Sequence, residues 1–196
     1  MNKNLKDSFT SIYHTNKWGS AESKSGRGSE LSQTKHISDY IPFVVDQFNI
    51  GSILDIPCGD FNYMKNIDLG CDYIGADIVS ELIENNKNKY PNIRFECLDI
   101  TCDELPRCDL ILVRDCFVHL CNESVIKSIE NIKKSGAKYL LTTSFCDAEF
   151  NKDLPSQGWR KINIELSPFN MVRLEKFNEK STQKDAEDKS LILIKF

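Results

Sequence analysis

The sequence predicts an α/β protein whose sheet is largely parallel and covered by helices on both faces. Three observations carry this. Strand-like and helix-like segments alternate from residue 50 onward, acidic residues close three of the strand-like runs, and a tight turn around Gly59 follows the first of them.

In chain order, Leu5, Phe9, Ile12 and Tyr13 lie on one helical stripe. A second helix is predicted from Ile37, Tyr40, Ile41, Val44, Val45 and Phe48, bent or restarted at Pro42. The Gly/Ser-rich stretch 18–29 lies between them. It is either a linker or a lid, and Trp18 and Arg27 are costly residues for mere spacing. The first strand spans 50–56, followed by a short helix over 61–66 and a strand over 72–77. A helix over 80–89 is stopped by Tyr90-Pro91. Strands follow at 93–98 and 110–113. Val125, Ile126, Ile129 and Ile132 recur at helical spacing, which predicts a helix over 123–134 with Asn122 as N-cap and Gly136 as its stop. A fifth strand covers 139–143. Two more, 160–166 and 190–195, flank the charged stretch 178–188 and suggest a long hairpin with a mobile tip.

At 196 residues the chain suits one domain, 1–196, made of N-terminal helices and loop (1–49), a core (50–145) and C-terminal strands (146–196). A hydrophobic fraction of 40% and a charged fraction of 28% are those of an ordinary globular protein. No apolar run is long enough for a membrane span, and residues 1–8 lack the apolar stretch of a signal peptide, so a cytoplasmic location is the default. Eight cysteines include no C-x-x-C pair, and several sit in apolar runs where a reduced thiol acts as a small hydrophobe. They are read as free thiols, and no metal is called for. The net charge of −4, with lysines scattered among acids, disfavours nucleic acid as a partner. Oligomeric state is left open.

The acids at the strand ends indicate the ligand. In an open parallel sheet, ligands bind outside the carboxyl ends of the strands, and an acid about 20 residues after the first turn meets ribose hydroxyls. Asp77 stands 22 positions after Asp55, and Asp99 closes the next run. The turn Pro57-Cys58-Gly59-Asp60 lacks the further glycines of a pyrophosphate cradle. S-adenosylmethionine fits both facts, having an adenosine for Asp77 and Asp99 and no pyrophosphate.

On these residues the chain resembles the class I S-adenosylmethionine-dependent methyltransferases. Asp55, Pro57 and Gly59 stand for their first motif, with Pro57 where glycine is frequent. The resemblance implies a Rossmann-like seven-stranded mixed sheet of order 3-2-1-4-5-7-6 and S-adenosyl-L-methionine as cofactor. It assigns Asp77 to the ribose, Asp99 with Ile100 to the adenine, and Ile78 to the cofactor site. Asp55, Pro57, Cys58, Gly59 and Asp60 form the turn under the methionine moiety, and Trp18, Arg27 and Arg114 close over it.

Arg114-Asp115-Cys116-Phe117-Val118-His119 follows the fourth strand, where an acceptor would sit. Asp115 and His119 are four apart, so one helical turn would align them. A histidine titrating near neutrality suits removal of a hydroxyl proton. The Arg-Asp-x-x-x-His run also resembles the phosphobase methyltransferases, whose histidine pairs with an N-terminal tyrosine. Tyr13 is the match here, with His14 as a backup base, and Tyr13 is equally a residue of the apolar stripe. The stretches 18–29, 57–62 and 114–120 further resemble small bacterial methyltransferases encoded among surface-polysaccharide and capsule genes. That resemblance implies O-methylation of a small sugar-derived or phosphorylated acceptor, with Arg27, Arg160 and Arg173 available to an anion. The alternatives are an amine methyltransferase and a non-catalytic cofactor-binding protein.

Overall fold

The computed structural model describes residues 5–154 and 158–196. Residues 1–4 of the N-terminal segment read for a signal peptide lie outside them. The helices are α1 (Leu5–Thr15), α2 (Leu31–Gln47), α3 (Ser80–Lys89) and α4 (Asn122–Lys134). The strands are β1 (Ser52–Asp55), β2 (Asp72–Asp77), β3 (Arg94–Cys97), β4 (Leu110–Val113), β5 (Tyr139–Phe145), β6 (Arg173–Asn178) and β7 (Lys189–Lys195). They form one sheet of order β3-β2-β1-β4-β5-β7-β6, the expected order. The first five are parallel, and β7 inserts antiparallel between β5 and β6.

Successive side chains of a strand point to opposite faces, so a sheet covered on both sides needs continuous apolar strands. β4, Leu-Ile-Leu-Val, is buried throughout. On one face Leu54, Ile111, Val113, Leu140 and Ile192 pack with Val125, Ile129 and Ile132 of α4. On the other, Ile53, Leu110, Leu112, Leu141 and Leu193 pack with Ile37, Ile41 and Val44 of α2 and with Leu82 and Ile83 of α3. No helix among the described residues is long and apolar enough to cross a membrane.

Several elements differ from the prediction. α2 runs unbroken through Pro42, because burial of Ile37, Ile41, Val44 and Val45 outweighs one lost ladder bond. The segment 61–66 shrinks to a 3-10 turn, Met64–Asn66. Asn122 is not the cap of α4 but its first residue; Cys121 precedes it, and Asp153 accepts the Asn122 backbone N–H at 2.7 Å. The stretch 160–166 forms no strand. Its alternation correctly reflects buried Ile162 and Ile164, but β7 takes the free edge of β5 and leaves that stretch one backbone bond to the sheet, from Phe145 N–H to the Ile162 carbonyl. The first arm of the terminal hairpin is therefore β6, whose residues are mostly exposed.

Candidate active site

A cavity of about 320 Å³ opens at the carboxyl ends of the parallel strands, where the strand order reverses between β1 and β4. Pro57, Cys58, Gly59, Asp77, Ile78, Asp99 and Ile100 line one end. The turn after β1 is held from both sides: Cys58 N–H donates to the Ala76 carbonyl at 2.7 Å, and the buried Asn86 amide of α3 donates to the Gly59 carbonyl at 2.7 Å. Gly59 has φ +54°, and a Cβ there would sit 1.9 Å from Ser25 Oγ, so the residue must be glycine. Asp77 is buried, which pushes its carboxyl up to about 6. Backbone N–H groups of Val79, Gly59 and Ile78 oppose that rise and fix the carboxylate. Asp99 accepts the Thr101 N–H and hydroxyl at 2.8 and 2.6 Å.

Two residues assigned to the turn under the methionine moiety, Asp55 and Asp60, lie elsewhere. Asp55 is fully buried beneath the turn and outside the cavity lining; its Oδ2 accepts the Tyr73 hydroxyl at 2.7 Å, and its Oδ1 has no partner. Burial pushes this carboxyl up to about 7, against the opposing pull of Tyr73 and Arg114. A raised folded-state pKa favours folding at low pH, and that contribution is lost as pH climbs from about 4 through 7. The stability difference between Asp55→Asn and the wild type should therefore shift in the variant's favour by up to about 4 kcal/mol between pH 4 and 8. Urea melts at the two pH values check this, and a constant difference would place the proton elsewhere. Asp60 also lies outside the lining. Its carboxylate accepts Ser23 Oγ at 2.8 Å, Lys24 N–H at 2.8 Å and Ser25 Oγ at 3.2 Å, so it anchors the 18–29 loop.

That loop packs over the cavity. Glu22 accepts the Asn62 amide at 2.6 Å and the Leu31 N–H at 2.8 Å, Ser25 rests on Gly59, and Gly26 packs against Trp18. Trp18 and Arg27 line the cavity. Arg114 holds the lid from below, donating to the Gly28 carbonyl at 2.9 Å. The rest of its guanidinium is taken by Glu179, at 2.8 and 3.3 Å, and by Asp115 at 3.5 Å. Lys189, 4% exposed, completes the cluster with contacts to Asp115 at 2.5 Å and Glu179 at 3.3 Å. Burial would raise the Asp115 carboxyl, but Lys189 and Arg114 overcome it and hold the group well below the usual carboxylate range.

His119 lies in a 3-10 turn, Phe117–His119, rather than an α-helical one, and makes no hydrogen bond to Asp115; the two couple through the field alone. Its Nδ1 contacts the Gly158 carbonyl at 2.7 Å, and Trp18 stacks on the ring at 5.2 Å. Burial lowers its pKa, partly offset by Gly158 and Asp115. Tyr13 lines the cavity but does not meet His119. Its hydroxyl accepts the Asn85 amide of α3 at 3.0 Å, and it packs in the α2-side core, as the stripe reading had it. His14 points outward to Glu81 at 2.7 Å and is no backup base. Of the three arginines considered for an anion, only Arg27 reaches the cavity. Arg160 donates to Asn122 and to the Lys152 and Leu120 carbonyls, and Arg173 pairs with Glu165. Sequence reading missed Glu179, Lys189 and Trp159. The one signal was Lys189 itself, a lysine at the head of a strand whose centre, 191–194, is apolar.

No family model matches the chain. Solved structures align over nearly all of it. The N-methyltransferase NodS from Bradyrhizobium japonicum WM9, in complex with S-adenosyl-L-homocysteine, matches with TM-score 0.67 and 13% identity over 98% of each chain. Human N-acetylserotonin methyltransferase, in complex with S-adenosylmethionine, gives 0.68 and 14% over 98% of this chain and 60% of its own. The fold is that of the class I methyltransferases. The Burkholderia thailandensis 1,6-didemethyltoxoflavin-N1-methyltransferase, with S-adenosylhomocysteine bound, gives 0.68 and 12% over 97% of this chain and 86% of its own. In sequence, the "Putative methyltransferase 235L" of Invertebrate iridescent virus 6 is 25% identical over 158 residues, 74% of this chain. The chain spans 60% of the length of that viral protein.

Proposed function

We propose that the protein is an S-adenosylmethionine-dependent methyltransferase acting on an oxygen of a small acceptor, with His119 as the base. The cavity residues fit the cofactor. Asp77, held by three backbone N–H groups, offers an ordered carboxylate to ribose hydroxyls. Asp99, Ile78 and Ile100 flank the adenine, and the Gly59 turn, with Pro57 and Cys58, takes the methionine end. When bound, the cofactor supplies a methyl on a sulfonium, whose carbon–sulfur electron pair stays with sulfur as the acceptor oxygen forms the new bond. That several structural neighbours hold S-adenosylmethionine or S-adenosylhomocysteine supports the same choice.

The observation that carries the catalytic reading is the state of His119. With Nδ1–H donating to the Gly158 carbonyl, Nε2 keeps its lone pair, and desolvation lowers the ring's pKa, which favours the neutral form. The amine reading needs Asp115 free to bind a cationic head group, and Lys189 already occupies it. Trp18, Arg27 and the polysaccharide-gene resemblance suggest a sugar-derived or phosphorylated acceptor. Lys24 and Arg27 are the lid cations available to an anion.

The test is calorimetric titration with S-adenosylmethionine and S-adenosylhomocysteine. Binding in the micromolar range, abolished by Asp77→Ala, is expected. A folded protein that binds neither would sink the cofactor assignment and everything built on it.

A further inference from the structure

Residues 158–160 grip residues 118–120 one after another. The Arg160 N–H donates to the Val118 carbonyl at 3.0 Å, the Gly158 carbonyl meets Nδ1 of His119 at 2.7 Å, and Nη2 of Arg160 donates to the Leu120 carbonyl at 3.0 Å. Regular structure does little to hold either side. His119 ends the 3-10 turn Phe117–His119, Leu120 leaves it in extended conformation, and 158–160 belong to no helix or strand. The last carbonyls of such a turn have no partner within it and must find one outside.

Arg160 meets that need at a cost that calls for a reason. It is 6% exposed, and no carboxylate among the described residues lies within ion-pair distance of its guanidinium; burial opposes its charge, and the field of Asp153 answers it only in part. A charge buried without an ion pair is expensive. Its donors go instead to the Leu120 carbonyl through Nη2 and, through Nη1, to the Lys152 carbonyl and Oδ1 of Asn122, both at 2.7 Å. An arginine fork fixes direction as well as distance, which a lysine or an amide in its place would not.

We infer that Arg160 is the positioning residue of His119: its guanidinium clamps 158–160 to the turn, keeps the Gly158 carbonyl in line with Nδ1, and so holds the ring in the form whose Nε2 is bare. The inference rests on the reading of His119 as base. Arg160 lies outside the cavity lining and so acts through His119 alone, with no contact to acceptor or cofactor. Which ring nitrogen keeps its proton follows from the bond that the other makes. Without the fork, one backbone bond, from Arg160 N–H to Val118, is left beside the His119 contact itself to join the two stretches, and the Gly158 carbonyl loses its fixed place.

Nitrogen NMR of the imidazole rings tests this without an acceptor. The chain has three histidines, and the signals that vanish in His119→Ala identify His119. At neutral pH the wild type should show it with a protonated Nδ1 and a bare Nε2. In Arg160→Met, which keeps an apolar stem and removes the donors, the Nδ1–H form should fall from dominant to minor, as in a free imidazole. Arg160→Lys, with the charge but not the fork, should lie between the two. Titration with S-adenosylhomocysteine is the control, and its affinity should be unmoved in both variants. An undiminished Nδ1–H form in folded Arg160→Met overturns the inference; should that variant not fold, the same result in Arg160→Lys does so. Loss of S-adenosylhomocysteine affinity in step with loss of the Nδ1–H form also overturns it, since Arg160 would then be a prop of the whole site. A wild-type His119 without the Nδ1–H form strikes the base reading instead, and wild-type protein that binds no S-adenosylhomocysteine strikes the cofactor assignment.

Discussion

His119→Ala is expected to lower kcat by about two to four orders of magnitude while leaving cofactor affinity nearly intact. The imidazole is gripped from two sides, by the Gly158 carbonyl on Nδ1 and by the Trp18 ring, so its free nitrogen has one fixed direction within the cavity. Loss of the ring removes the proposed proton acceptor but leaves in place Asp77 and the Gly59 turn, to which the proposal gives the cofactor. The pH profile gives a second readout. The base must be neutral to act, and burial lowers its pKa. The wild-type rate should therefore hold as pH falls through 7 and drop only below the ordinary histidine value of about 6.5. Stopped-assay kinetics across pH 5 to 9 would show both effects; a variant with wild-type turnover would strip His119 of its role.

Glu179→Ala should be the most destabilising single change at the site, by about 3–5 kcal/mol. Glu179 is 1% exposed and answers two buried cations, Arg114 and Lys189, with Asp115 as the other anion of the cluster. Its removal leaves a net positive charge on largely buried groups at the cavity wall. It also frees the guanidinium that grips the Gly28 carbonyl, so the lid should loosen and cofactor affinity should fall together with stability. Glu179→Gln, which keeps the shape and part of the hydrogen bonding, should cost less. Denaturant melts in parallel with cofactor titrations measure the pair of effects, and a loss below about 1 kcal/mol would show that the cluster relaxes.

The difference between these two residues is also the difference between what the sequence disclosed and what it hid. The position of His119 at the cavity was legible because it follows a strand whose end can be located from local pattern alone. β2, α3 and β4 fall where periodicity and stop signals put them. Asp77 and Asp99 were legible for the same reason, since a strand terminus brings its neighbours to the ligand face whatever the rest of the chain does. Glu179 and Lys189 pair with residues 65 and 74 positions away, and no local pattern encodes such a partner. Asp60 looked like part of the ligand turn and instead holds the lid, because Ser23 and Ser25 arrive from more than thirty residues upstream. The stretch 160–166 shows the same limit in the sheet: alternation reports which side chains are buried but not whether a neighbouring edge is already taken.

The insertion of β7 between β5 and β6 ties the 18–29 loop to a distant part of the chain. β1 to β5 can pair in parallel as soon as residue 145 is available, but Arg114 at the end of β4 then lacks both Glu179 and a settled Lys189. Until the final hairpin docks, burial of that guanidinium is uphill, and the lid made from residues near the start of the chain has no clasp. The clasp on the 18–29 loop thus depends on a hairpin far along the chain from it, so cleavage between β5 and β6 should loosen that loop and weaken cofactor binding together.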